Sequence, residues 1–265
     1  MKILVGKRAE TPYLSRSERW SDGFAIAAVC AFVFLASYRI ELPGLYMDEV
    51  DFVNAARDGA DNTTIYLRLG AIPLFFMRYL GALKAWIYAP VFRLFGVSVL
   101  TIRLPVILLA AVTLLIWYYV MRQTIGPLWG AIVTWILAVD PANLFPSRLD
   151  WGPTVLMHFF QASIFALWFS YRDKPKLWKL LAIFLCFGLG SFDKFNFVWF
   201  AAAFVISVFV CYRGDIIADG LTRKERRLTG RMASGQLTPF LNTIWSHVGI
   251  DGEERSGFLP VTPFF

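Results

Sequence analysis

Long apolar runs broken by short polar intervals dominate this chain. Runs near residues 22–40, 100–121, 127–146, 152–171, 178–193 and 196–212 are each of the order needed to cross a ~30 Å hydrocarbon core. The pattern predicts an all-α polytopic membrane protein with about six transmembrane helices. Another apolar stretch, Leu74 to Phe95, is punctuated by Arg78, Lys84 and Arg93. A charge at the membrane centre costs on the order of 2.5–3.5 kcal/mol, so this stretch reads as an interfacial or re-entrant helix. From Asp48 to Arg57 the pattern becomes amphipathic, with Phe52, Val53 and Ala56 on one helical face.

Composition agrees with that reading. The 265 residues are 57% hydrophobic and 17% charged, against roughly 45–50% and 25% in soluble domains, and mean hydropathy is +0.56. The formal charge of +7 would suggest nucleic acid in a soluble protein. In a membrane protein it is read by side instead, and no nucleic-acid partner is expected. Lys2, Lys7, Arg8, Arg16 and Arg19 precede the first span, Arg172, Lys174, Lys176 and Lys179 follow the fourth, and Arg213 to Arg231 follow the sixth. The N-terminus and the tail are therefore expected in the cytoplasm.

This topology divides the chain into a cytoplasmic N-terminal segment, 1–21, a transmembrane domain, 22–212, and a basic tail, 213–265, expected to be poorly ordered. The outer face receives a long loop, 41–99, and the short connections 141–152 and 193–195. The first run ends at Tyr38-Arg39 without a small-residue cleavage site, which reads as an anchor retained in the protein. Cys30, Cys186 and Cys211 sit inside apolar runs, and the two histidines, His158 and His247, are far apart. Neither a disulfide framework nor a zinc site is indicated.

The candidate chemistry gathers at the outer ends of the spans. Asp48, Glu49 and Asp51 crowd together after the first run with no basic residue nearby in sequence, a costly arrangement unless solvated or used. Between the third and fourth runs lies Arg148-Leu149-Asp150-Trp151-Gly152-Pro153, and between the fifth and sixth Asp193-Lys194-Phe195-Asn196. Lys84 and Arg103 flank the entrance to the second run. Carboxylates with cations at one interface suit transfer from a charged lipid, one group acting as base and others receiving a phosphate leaving group. Blander roles exist for each. Lys84 and Arg103 can snorkel to headgroups, Arg148 can pair with Asp150 and Lys194 with Asp193, and Pro105 and Pro153 suit the first turns of their helices. The carboxylates of Asp48, Glu49 and Asp150 are oxygen donors of the type Mg2+ or Mn2+ takes, though no cofactor is required by the pattern.

The order of these motifs carries a resemblance. An acidic pair opening the first outer loop, then GALKAWIYAPVFRLFGVSVLTIRLP, then SRLDWGP, then FDKFNF resembles the amino-terminal half of a GT-C membrane glycosyltransferase. The similarity is to the family 39-like enzymes, which include protein O-mannosyltransferases and the lipid A aminoarabinose transferase. It covers about residues 20–212. The resemblance implies a GT-C-like fold, a polyprenyl-phosphate-linked sugar as donor, transfer with inversion on the extracytoplasmic face, and location in the bacterial inner (plasma) membrane. The acceptor is left open among lipid, protein and glycan. By position, Asp48 corresponds to the catalytic base and Glu49 to a supporting carboxylate. Lys84, Arg103 and Lys194 become candidates for the donor phosphate, with Arg148 and Asp150 supporting. Related transferases carry lysine and two prolines where this chain has Leu80-Gly81-Ala82, which puts Lys84 one helical turn later, about 6 Å along an axis. Full members continue through further spans. Two other readings stand beside transfer: an inactive fragment or scaffold needing a partner, and a transporter of lipid-linked sugar.

Overall fold

The computed structural model describes residues 16–57, 65–70, 72–149 and 152–212. Asp150 and the basic tail 213–265, both singled out above, lie outside the described residues. The chain divides into two compact units, Met1–Ala203 and Phe204–Phe265. In the second, residues 204–212 are helical.

The described residues of the first unit include α1 (Arg16–Ser37), α2 (Met47–Arg57), β1 (Leu67–Leu69), β2 (Ile72–Met77), β3 (Leu80–Gly81), α3 (Leu83–Phe95), α4 (Val99–Thr124), α5 (Pro127–Val139), α6 (Pro141–Arg148), α7 (Thr154–Asp173) and α8 (Leu177–Asp193), the three strands forming a small sheet. Helix α1 packs on α4 and α5, α4 packs also on α7, and α7 packs on α8. The buried core runs through Phe32, Phe52, Phe76, Tyr88, Ile102 and Ile107. Phe52 of α2 stacks on Phe76 of β2 with ring centroids 5.3 Å apart, so the outer loop is keyed into the same core as the spans.

Among the described residues three helices are long and apolar enough to cross a membrane: Glu18–Ser37, Val99–Thr124 and Thr154–Asp173. The run expected as one span over 127–146 is instead the pair α5 and α6, bent by 57°. Its cause is local. Asp140 is extended, as the residue before a proline prefers, and its side chain caps α6 by accepting from the N–H of Ala142 at 3.0 Å. Counted as one, the pair makes four candidate spans. Of the six expected, the last two are helices of lesser length. Helix α8 has 17 residues, about 25 Å at 1.5 Å per residue, and Phe197–Tyr212 is also a shorter apolar helix.

The stretch 74–95, expected as a single interfacial helix, is split. Its first part joins an antiparallel sheet of order β1-β2-β3, with Leu67 opposite Phe75, Leu69 opposite Ile72, and Phe75 opposite Gly81. Gly70, at φ +59°, makes the hairpin turn possible. Only α3, 13 residues long, is helical. Since Leu80 and Gly81 form a strand, the cation of Lys84 is not displaced from them by a turn of helix. Gly81 explains the break: a Cβ there would stand 2.3 Å from the carbonyl oxygen of Phe192, so the strand lies directly against the end of α8. A β-bridge from Leu80 to Lys194 and a 3.0 Å hydrogen bond from Phe195 N–H to the Tyr79 carbonyl complete that junction.

Pro105, expected in a first turn, lies further inside α4, whose N-terminus is capped by Ser98 and Thr101 in a reciprocal box. Pro153 is the N-cap residue of α7, close to its expected place.

Candidate active site

Asp48 and Glu49 occupy the first turn of α2, where the positive end of the helix favours carboxylates. The N–H of Tyr46 donates to Glu49 Oε2 at 2.7 Å, half of a capping box. From there the two neighbours part. Glu49 is fully buried, while Asp48 is partly exposed.

The partner of Glu49 is Arg103 of α4, also fully buried. Arg103 Nε donates to Oε1 at 2.7 Å and Nη2 to Oε2 at 2.9 Å, a bidentate fork. Nη1 donates to the carbonyls of Ile40 and Pro43, and Nη2 donates also to that of Gly44 at 3.1 Å. All five N–H groups of the guanidinium are thus directed to protein acceptors. The expectation that Arg103 receives the donor phosphate fails for that reason: it has no donor left for one. The acidic cluster that looked uncompensated is compensated from 54 residues away.

Lys84, at the start of α3, is only 4% exposed. Its ammonium lies 4.3 Å from the centre of the Phe52 ring and donates to the carbonyl of Gly152 at 2.9 Å. Gly152 takes φ +58°, and a Cβ on it would stand 3.5 Å from Asp48 Oδ2. One glycine therefore has the Asp48 carboxylate on the side where a Cβ would stand and the Lys84 ammonium on its carbonyl. Sequence reasoning passed over this glycine, although a glycine before a proline between two apolar runs is a signal for a specialised backbone.

A small cleft opens beside this point, with Lys84 and Gly152 among its lining residues. Ile87 and Tyr88 of α3, Val106 and Leu109 of α4, and Val155 and Leu156 of α7 give it apolar walls.

The other expected residues stand further out. Arg148, at the end of α6, donates through Nη2 to the carbonyls of Arg39 at 2.6 Å and Leu42 at 2.7 Å, and through Nη1 to that of Leu35 at 3.5 Å. Lys194 is half-buried at the end of α8, and its charge is felt at His158 of α7. Asp51, on the next turn of α2 from Asp48, has its carboxyl held above the ordinary range by burial and then by the negative charge of Asp48. Among the described residues no group of three or more acidic, histidine or cysteine side chains is assembled to hold a metal.

Its membrane-length apolar helices mark this chain as an integral membrane protein. The chain belongs to the dolichyl-phosphate-mannose-protein mannosyltransferase family, whose model matches residues 81–219. Membership makes it a glycosyltransferase of the mannosyltransferase-like, GT-C type, working in a membrane with a lipid-linked sugar as donor class. Lys84, Arg103, Arg148, Asp150 and Lys194 fall inside the matched region, and the Asp48-Glu49 pair lies ahead of it. No curated protein and no solved structure matches the chain.

Proposed function

We propose that this protein transfers a sugar from a polyprenyl-phosphate donor to an acceptor hydroxyl on the extracytoplasmic face, with inversion at the anomeric carbon and Asp48 as the base. All six apolar segments cross the membrane in this reading, with the N-terminus cytoplasmic by the distribution of basic residues. The observation that carries it is the meeting of Asp48 and Lys84 around Gly152, beside an apolar cleft.

The carboxylate of Asp48 takes the proton of the acceptor hydroxyl as its oxygen attacks the anomeric carbon. The bond from that carbon to the phosphate oxygen breaks, and the phosphate leaves with the electron pair. Lys84 offsets the charge that grows on it, with Lys194 as a second cation for the same group. A single carboxylate and a direct displacement suit inversion, as in the water-activating half of inverting glycosidases. The apolar cleft takes the first part of the lipid. Glu49 does no proton chemistry here, because its two oxygens are occupied by Arg103 and the Tyr46 amide.

Asp48→Asn removes the base and keeps the shape. With radiolabelled polyprenyl-phosphate mannose as probe, the variant should lose at least 100-fold of the wild-type rate of label leaving the lipid phase, within the 10²–10⁴-fold typical of general-base catalysis. Transfer that survives the substitution would remove Asp48 as the base. Absence of label release by the wild type with this probe would count against the donor proposed.

A further inference from the structure

We infer that Arg148 is a positioning residue for the transfer site: its guanidinium fixes the turn between α1 and α2 and thereby sets where Asp48 stands. This inference rests on the reading of Asp48 as the base.

Chain direction changes between Ser37, the last residue of α1, and Met47, the first of α2. In this turn the carbonyls of Ile40, Pro43 and Gly44 accept from Arg103 of α4. Those of Leu35, at the end of α1, and of Arg39 and Leu42 accept from Arg148 of α6. Two guanidinium groups from two other helices therefore hold six backbone carbonyls within ten residues, 35–44. Arg39 stands at φ +47°, left-handed for a residue with a side chain. Such a conformation is strained and persists where its surroundings over-determine it. Arg148 grips the carbonyl of this same residue at its shortest contact, 2.6 Å. Asp48 follows six residues after Leu42, in the first turn of α2.

The two arginines are not equivalent as tests. Arg103 is fully buried beside a buried carboxylate, so its removal strands a charge and endangers the fold. Arg148 is partly exposed, so water can replace it at the carbonyls and the fold survives its loss. What water cannot replace is the fork that holds the carbonyls of Arg39 and Leu42 in one geometry. A displacement of about 1 Å at a reacting group can cost 100-fold in rate.

The experiment compares the wild type with Arg148→Ala and Arg148→Lys in detergent micelles by amide hydrogen exchange and by label release from radiolabelled polyprenyl-phosphate mannose. The reporting amides are Leu42, bonded to Arg39, and Glu49 and Val50, bonded to Tyr46. Arg148→Ala should speed their exchange at least 10-fold and leave α7 and α8 unchanged. It should lower kcat about 10- to 100-fold with KM for the donor unchanged, because the base moves and the phosphate cation does not. Arg148→Lys, with one ammonium in place of the fork, should fall between. Exchange equal to wild type in Arg148→Ala overturns the inference, as does faster exchange with kcat intact. A wild type that releases no label defeats the reading of the donor, and the exchange arm alone then decides whether Arg148 fixes this turn.

Discussion

Helix α4 carries an arginine near each of its ends, and each is paired with a carboxylate, yet the two pairs do different work. At the N-terminal end Arg103 meets Glu49 of α2 with both side chains wholly excluded from solvent. At the other end Arg122 meets Asp22 of α1 at the same 2.7 Å, with about a quarter of each side chain exposed. Tyr118 donates to the same Asp22 oxygen. Similar chemistry at similar distance therefore sits in two environments. In the first, five N–H donors are directed at fixed acceptors, and the pair specifies one position for the turn that precedes Asp48. In the second, water competes for the ions, and the contact is one tie among several between α1 and α4. Burial, more than the ion pair itself, separates the two ends of α4.

Breaking each pair in turn tests that contrast. Arg103→Ala should cost about 3–5 kcal/mol, because Glu49 is left charged, buried and unpaired. The measurement is thermal unfolding of the detergent-solubilised protein. If the pair serves position more than stability, Glu49→Leu with Arg103→Met should restore much of the melting temperature and none of the transfer activity. A melting temperature as low as that of Arg103→Ala would break this half of the comparison.

The Asp22–Arg122 pair should matter far less. Asp22→Asn keeps an acceptor for Tyr118 and Arg122, and the expected loss is about 0.2–1 kcal/mol by the same melt. A loss of several kcal/mol would mean that partial exposure had not weakened the pair.

The smallest effect concerns pH. Asp51 holds its proton more tightly in the folded protein than in the unfolded chain, through burial and the neighbouring charge of Asp48. Its folded pKa is raised, so its contribution favours the fold at low pH and declines as pH rises through the carboxylate range. Asp51→Asn should therefore flatten this part of the stability profile, read by thermal melts across the carboxylate range. A profile unchanged by the substitution would show that Asp51 does not carry the dependence.

Much of the fold was legible from pattern. Apolar runs marked the first, second and fourth spans because a helix in lipid must satisfy its backbone internally and show apolar side chains outward, a constraint written residue by residue. Asp140-Pro141 and Gly81 were equally visible, but their consequences depended on partners. Pro141 lay inside a run that read as one span, and the 57° bend between two helices appeared only in the structure. Gly81 read as part of a helix until the end of α8 was set against it. At the site, Asp48 and Lys84 were recognisable as chemistry. The relation between them was not, because it passes through Gly152, 68 residues from Lys84.

The amino-acid sequence by itself determined that this is a helical membrane protein, which residue types stand at the ends of its spans, and in what order. Those properties follow from local periodicity and from the cost of charge in hydrocarbon. Only the tertiary structure decided which charges are spent on one another. Arg103 left the set of candidate phosphate ligands because α2 and the turn before it fold onto α4, and Arg148 of α6 took up the same turn. Whether a cation serves a ligand or a neighbour depends on distances between residues remote in sequence, and those exist only once the helices have packed.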